Sequence, residues 1–174
     1  IQFVMMDAEP YDPDNGDILI LQNTAAATFD SGQAGYLAGY AAVMDGSTQL
    51  GFIGQNKSKD IRAFGYGYVM GADRAASELG VEVSMNYYYC KHASQRDGVY
   101  KRAAIMYDKG AQVIFAAGNE IQEAVIEAAE AKDGKVIGSA TDQSSKSDKV
   151  ITSAIYNIRG ALKEILGEYT AGSF

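Results

Sequence analysis

Cys90 and His92 are the side chains best suited to nucleophilic or acid–base work, and the chain holds one cysteine and one histidine. Two positions apart on an extended strand, they would point to one face, where an imidazole could activate a thiol. Nothing nearby in sequence would orient the ring, which favours the plainer alternative of a loop histidine beside a half-buried cysteine. A single histidine cannot form a histidine-based metal cluster. No catalytic residue, metal ligand or cofactor is therefore expected. The phosphate-cradling G-x-x-x-x-G-K-[ST] and the nucleophile motif G-x-S-x-G do not occur. The segment Gly65-Tyr66-Gly67-Tyr68 lies inside a helical pattern, not between strand and helix, so it offers no dinucleotide site.

The elements that would position a site follow from hydrophobic spacing. Residues 50–53 are a short apolar run closed by Gly54. Beyond a polar turn, Ile61, Phe64, Tyr68, Ala72, Ala75 and Leu79 recur every three or four residues. This predicts a strand and then a helix, with Asp60 as the N-cap and Gly80 as the left-handed stop. The same plan repeats. A strand is expected at 81–88, a helix at 97–108, a strand at 112–116, a helix at 120–132 and a strand from 135 to about 140. A polar connector at 141–148 leads to a strand at 150–154 and a last helix lined by Ile158, Leu162, Ile165 and Leu166.

Before this series comes a helix over 31–44, with Ala34, Leu37, Tyr40, Ala41 and Met44 expected to face inward. Gly35 and Gly39 would permit close packing at some cost in helix propensity. At the start, Phe3 to Met6 reads as a strand buried on both faces, and 18–21 as a second strand, with Pro10 and Pro13 in the loop between them. Alternating strands and helices specify an α/β fold with a doubly wound parallel sheet.

The 174 residues are enough for one domain or two small lobes, and the net charge of -7 opposes nucleic-acid binding. No run of 18 apolar residues occurs. What remains is position, because open α/β sheets bind ligands outside the carboxyl ends of their strands. There lie Asp7, Gln55, Asn56, Tyr89, Cys90, Lys91, Gly118, Asn119, Ala140 and Asp142, a mixed polar set suited to a small polar ligand.

The order of short segments resembles the basic membrane protein family, substrate-binding lipoproteins of ABC importers, several of which bind purine nucleosides. The matching pieces are Tyr36-Leu37-Ala38-Gly39, GFIG at 51–54, Phe64-Gly65-Tyr66-Gly67 and Gly71-Ala72. They continue with AQVIFAAG at 111–118, EAA at 127–129, KVIG at 135–138, Asp142-Gln143 and VITSAI at 150–155. The resemblance implies a two-lobed, periplasmic-binding-protein type I-like fold that closes around its ligand. It also implies a membrane permease as partner, and an extracytoplasmic, lipid-anchored location for the full-length protein. By the same resemblance the chain is a fragment. It would hold the end of a first lobe (1–29), a complete second lobe (30–147) and a return segment to the first (148–174). A partial lobe exposes core surface, so self-association is an expectation.

The resemblance adds Phe29, His92 and Tyr156 to the ligand contacts, but the pocket departs from the family pattern. Lys91-His92-Ala93 stands where a Gly-Ser/Thr-Phe turn is usual, and Asn119-Glu120-Ile121 where a glycine-rich turn is usual. Ala140 replaces an aspartate that would grip a ribose hydroxyl, and Tyr156 replaces a lysine. The expected function is thus an ABC-importer substrate-binding protein with an altered ligand. The alternative is a ligand-sensing or regulatory module that binds a protein partner on the same fold. A third reading, an α/β enzyme, lacks a constellation to carry it.

Overall fold

The computed structural model describes residues 1–172. It divides into two compact units, one of residues 1–29 with the segment from Tyr156 onward, the other Asp30–Ile155.

In the first unit, β1 (Phe3–Met6) and β2 (Thr24–Ala27) pair in parallel with Phe3 opposite Thr24. Helix α5 (Ile158–Ala171) is capped by Asn157, whose side chain accepts from the Gly160 N–H at 3.0 Å. The expected strand at 18–21 does not form. Ile18 makes only a single bridge to Tyr11, and Ile20 is 97% exposed. An apolar run becomes a strand only where a neighbour completes its hydrogen bonds, and here the alanine-rich stretch further on takes that place. The expectation that β1 is buried on both faces also fails, since Phe3 is 53% exposed in a sheet of two strands.

The second unit is built on a five-stranded parallel sheet. Its strands are β3 (Gln49–Gly54), β4 (Ser84–Tyr89), β5 (Val113–Ala117), β6 (Lys135–Ala140) and β7 (Val150–Ile155), in the order β4-β3-β5-β6-β7. Helices α1 (Ser31–Met44), α2 (Lys59–Leu79), α3 (Arg96–Asp108) and α4 (Gln122–Lys132) cover it. Alternate residues of β3 and β5 serve the two faces. Phe52 and Phe115 meet Phe64 and Tyr68 of α2, with ring centroids 5.1–6.4 Å apart. Ile53, Ile114 and Ala116 enter the cluster formed by α3 and α4. Burying both faces explains why these strands read as continuous apolar runs. Because β7 is hydrogen-bonded to β6, the chain leaves this unit at Ile155, later than the boundary at 147 suggested by the sequence. The last two positions of the expected 148–174 segment lie outside the described residues.

Two local expectations are corrected. The α2 cap is Ser58, whose hydroxyl accepts from the Ile61 N–H at 3.4 Å, and Asp60 lies within the first turn. Gly80 does end the helix, in the left-handed region at φ 66°. In α1 the inward residues are Ser31, Gly35, Ala38, Gly39, Ala42 and Val43, whereas Leu37 and Met44 are 66% and 46% exposed. The partner surface is the backbone of α2, so the smallest residues face inward, not the largest. A Cβ built on Gly35, Gly39, Gly67 or Gly71 would lie 1.9–2.2 Å from a carbonyl oxygen of the opposite helix.

Candidate functional site

The strand order reverses at β3, because the chain passes to β4 on one side and later to β5 on the other. A crevice for ligands opens outside the carboxyl ends of the two strands flanking such a switch point. Gln55 follows β3 and Gly118 follows β5. The Gln55 N–H donates to the Ala117 carbonyl at 2.9 Å, and its side-chain Oε1 accepts from the Glu120 N–H at 3.3 Å. Gly118 has φ 123°, a backbone angle that favours glycine, and a Cβ there would displace the Gln55 side chain, whose Oε1 lies 2.3 Å away. Asn56 is exposed and turns the chain into α2 by accepting from the Ser58 N–H at 2.9 Å. Asn119 is exposed and opens the tight turn before α4.

A polar network underneath, not anticipated from the sequence, holds this rim. Ser139 is fully buried near the end of β6, and its hydroxyl accepts from the Gly118 N–H at 2.9 Å. Gln122, 2% exposed at the start of α4, brackets the Ser139 backbone. Its Nε2 donates to the Ser139 carbonyl at 2.9 Å, and its Oε1 accepts from the Ser139 N–H at 3.2 Å. The ends of β5 and β6 and the start of α4 are thereby locked together. Ala140 then bends at φ 67°, a region that costs a residue with a side chain about 1–2 kcal/mol. Asp142 is exposed, and the Ser144 N–H and hydroxyl hold its carboxyl below the usual carboxylate range. Gln143 is buried. Its N–H donates to Ser153 Oγ at 3.0 Å and its Nε2 to Thr141 Oγ1 at 2.7 Å, while Oε1 has no partner among the described residues.

At the end of β4, Cys90 and His92 both lie past the strand, so the shared face expected for them does not exist. Cys90 is 7% exposed and burial pushes its thiol up, with Arg102 opposing, whereas Lys91 and His92 are exposed. A buried, protonated thiol is a poor nucleophile. In the first unit, the rings of Phe29 and Tyr156 stack with centroids 4.9 Å apart and planes 7° from parallel. Asp7 follows β1 at φ 55°, and its N–H donates to the Ala27 carbonyl at 2.7 Å. Among the described residues no three of His, Cys, Asp and Glu converge as metal ligands would. Among the described residues the geometry offers hydrogen-bonding groups along a braced rim, and the one thiol beside it is buried.

All 174 residues match the family model described as ABC transporter substrate-binding protein PnrA-like. Basic membrane protein B of Borreliella burgdorferi is 40% identical over 163 residues, which is 91% of this chain and 47% of that protein. The ABC transporter nucleoside-binding protein BmpA of Lactococcus lactis subsp. cremoris is 30% identical over 172 residues, 88% of this chain and 48% of that one. Among solved structures, an ABC transporter solute-binding protein from Aeropyrum pernix K1 superposes with TM-score 0.77 at 16% identity, covering 99% of this chain and 49% of that chain. A transcriptional activator of the comK gene from Bacillus halodurans gives TM-score 0.75 at 19% identity, covering 100% and 56%. The chain thus spans about half the length of the curated relatives it matches. The structural likenesses speak for the fold alone, of the periplasmic-binding-protein type I kind.

Proposed function

Because this chain belongs to the PnrA-like family of ABC transporter substrate-binding proteins, we propose that it serves an extracytoplasmic, membrane-anchored binding protein delivering a small polar molecule to its permease. The observation that carries this reading is the rim at the β3/β5 switch point. There Gly118 and the end of β6 are held by buried hydrogen bonds to Ser139 and from Gln122, and Gln55 braces the start of the turn before α4 from the surface. Such a ledge binds and orients without reacting.

The nucleoside named for the Lactococcus lactis relative is a poor fit to this rim. An aspartate at position 140 would accept two sugar hydroxyls and tolerates the left-handed bend found there, whereas alanine accepts none. Leaving the hydroxyls unpaired costs about 1–3 kcal/mol each. With Lys91-His92-Ala93 in place of an aromatic turn, base stacking worth about 1–3 kcal/mol is also missing. Together these weaken nucleoside binding by orders of magnitude, so the cognate ligand is a different small polar molecule, with Asp142, Asn119 and Lys91 available to it. The bend at Ala140 supports the view that the scaffold was kept while the pocket changed.

Thermal unfolding tests both levels. Inosine and guanosine at 1 mM should move the midpoint by less than about 1 °C, while Ala140→Asp should recover a response to them. A ligand at 100 times its Kd stabilises by about 2.7 kcal/mol, a shift of several degrees, so cognate binding is easily read. A shift of that size with inosine, saturating at micromolar concentration, overturns the altered pocket. Silence across a broad panel of sugars, nucleosides, bases and amino acids overturns ligand binding itself.

A further inference from the structure

Ala140 is held where alanine rarely goes. Among the described residues, three that carry side chains have positive φ, and two of them, Asp7 and Asp133, are of a type that tolerates the left-handed region. Ala140, at φ 67°, is not. The Thr141 N–H donates to the Ser139 carbonyl at 2.8 Å, so residues 139–141 form the γ-turn with positive φ at its centre, the rare and strained form of that turn. Strain of this kind persists only where the surroundings impose it. Two glutamines do so here. Gln122 fixes the Ser139 backbone through both its N–H and its carbonyl. Gln143, 4% exposed and tied by its N–H to Ser153 Oγ, donates Nε2 to the Thr141 carbonyl at 3.2 Å and to Thr141 Oγ1 at 2.7 Å. Its Oε1 is left buried without a partner among the described residues, a second cost of this arrangement.

The bonds around the turn let it open without orphaning a buried group. The Ser139 carbonyl accepts from both the Thr141 N–H and Gln122 Nε2, so release of the first leaves it paired. Ala140 is the last residue of β6, and Thr141 lies beyond the strand and is exposed. We propose that residues 139–141 are a two-state element of the rim. The strained turn keeps the Thr141 N–H occupied, and relaxation of Ala140 to negative φ frees that N–H for an acceptor atom of the ligand. The ligand then stabilises the relaxed state through a contact that the strained state does not offer. A neutral oxygen, carbonyl or hydroxyl, suits this donor better than an anion, because the exposed Asp142 carboxylate stands one residue on. The assignment rests on the reading of this rim as the binding surface, and it adds Thr141 to the groups that recognise the ligand.

Amide hydrogen exchange on this chain, resolved by residue with NMR, reads the opening without any ligand, since an N–H exchanges only when freed to water. Ala140→Gly removes the cost of positive φ and should slow exchange of the Thr141 N–H about tenfold. Ala140→Val raises that cost and should speed it by at least about tenfold, while the Ser139 N–H, held by Gln122 Oε1, exchanges as in the parent chain. Each sugar, nucleoside, base or amino acid that raises the thermal midpoint should slow Thr141 exchange again in the valine variant. Exchange of Thr141 at one rate in all three chains overturns the proposal. So does acceleration of Ser139 and Thr141 together, because the end of β6 would then open as one unit. A compound that raises the midpoint yet leaves Thr141 unprotected removes this N–H from recognition. Failure of every compound to bind would instead overturn the ligand reading and leave the two-state turn standing.

Discussion

Substituting Gly39 by alanine opposes two effects whose sizes can be compared. Glycine within a helix is destabilising, so alanine should return about 0.8–1 kcal/mol of propensity to α1. The structure places the new Cβ 2.0 Å from Tyr68 O, and 2.9 Å from Ala72 N. That contact can be relieved only if the two helices separate by about 1 Å, since the obstruction is backbone and cannot rotate away. Overpacking of this kind costs about 1–3 kcal/mol or more, and separating the helices would also loosen Phe64 and Tyr68 against Phe115. The net expectation is a loss of about 2 kcal/mol, read as a fall of about 1 M in the urea midpoint followed by far-ultraviolet circular dichroism. Gly98→Ala in α3 is the control. Its Cβ would meet nothing nearer than Gln95 Cβ at 3.9 Å, so only the gain of about 0.8–1 kcal/mol remains. If Gly39→Ala proves as stable as the parent chain, the backbone seam between α1 and α2 is not as close as described.

Two buried tyrosines should respond oppositely to loss of the hydroxyl. Tyr68 is fully buried and its OH has no partner among the described residues, so Tyr68→Phe should raise stability by about 1 kcal/mol. Tyr107 donates to the Lys135 carbonyl at 2.8 Å, so Tyr107→Phe should lower stability by about 1–3 kcal/mol; urea melts separate the two. Burial raises the pKa of both phenols, so their contribution is complete below the ordinary tyrosine range and is lost only as pH climbs through the folded values. Absorbance at alkaline pH should therefore show these two ionising together with unfolding. At the acid end, Lys149 holds the Asp133 carboxyl low, and the Ser144 N–H and hydroxyl do the same for Asp142. Depressed folded values give stability that is complete above about pH 4 and fades as pH falls through them, so Asp133→Asn and Asp142→Asn should each flatten the acid limb of a stability–pH curve.

The layered α/β unit was legible because its signals are local. Apolar runs in β3, β5 and β6 and three- and four-residue spacing in α2 and α4 suffice to place those elements. The inward face of α1 was legible only in part, for Gly35 and Gly39 signalled close packing but the larger residues were expected to face inward with them. Leu37 and Met44 advertise an apolar face, yet the neighbour is a helix backbone that admits only glycine and small residues, and periodicity cannot see how near a partner comes. The strand at 18–21 failed for a related reason, since pairing depends on a neighbour that hydrophobicity does not name. Of the candidate site residues, Gln55, Asn56, Gly118 and Asn119 were placed by the rule that loops follow strands. The supporting residues Ser139, Gln122 and Gln143 were missed. Their signal was a polar residue ending or beginning an otherwise apolar element, but Ser139 finds its partners 17 and 21 positions away, beyond any local pattern.

The glycine seam also limits how this architecture can change. With α1 and α2 touching main chain to main chain, neither can slide or tilt to reshape what lies above the sheet, and the two act as a single plank. Novelty in what is recognised is therefore confined to the loops at strand ends, such as Ala140 after β6 and Lys91-His92-Ala93 after β4, which can change while the plank beneath stays as it is.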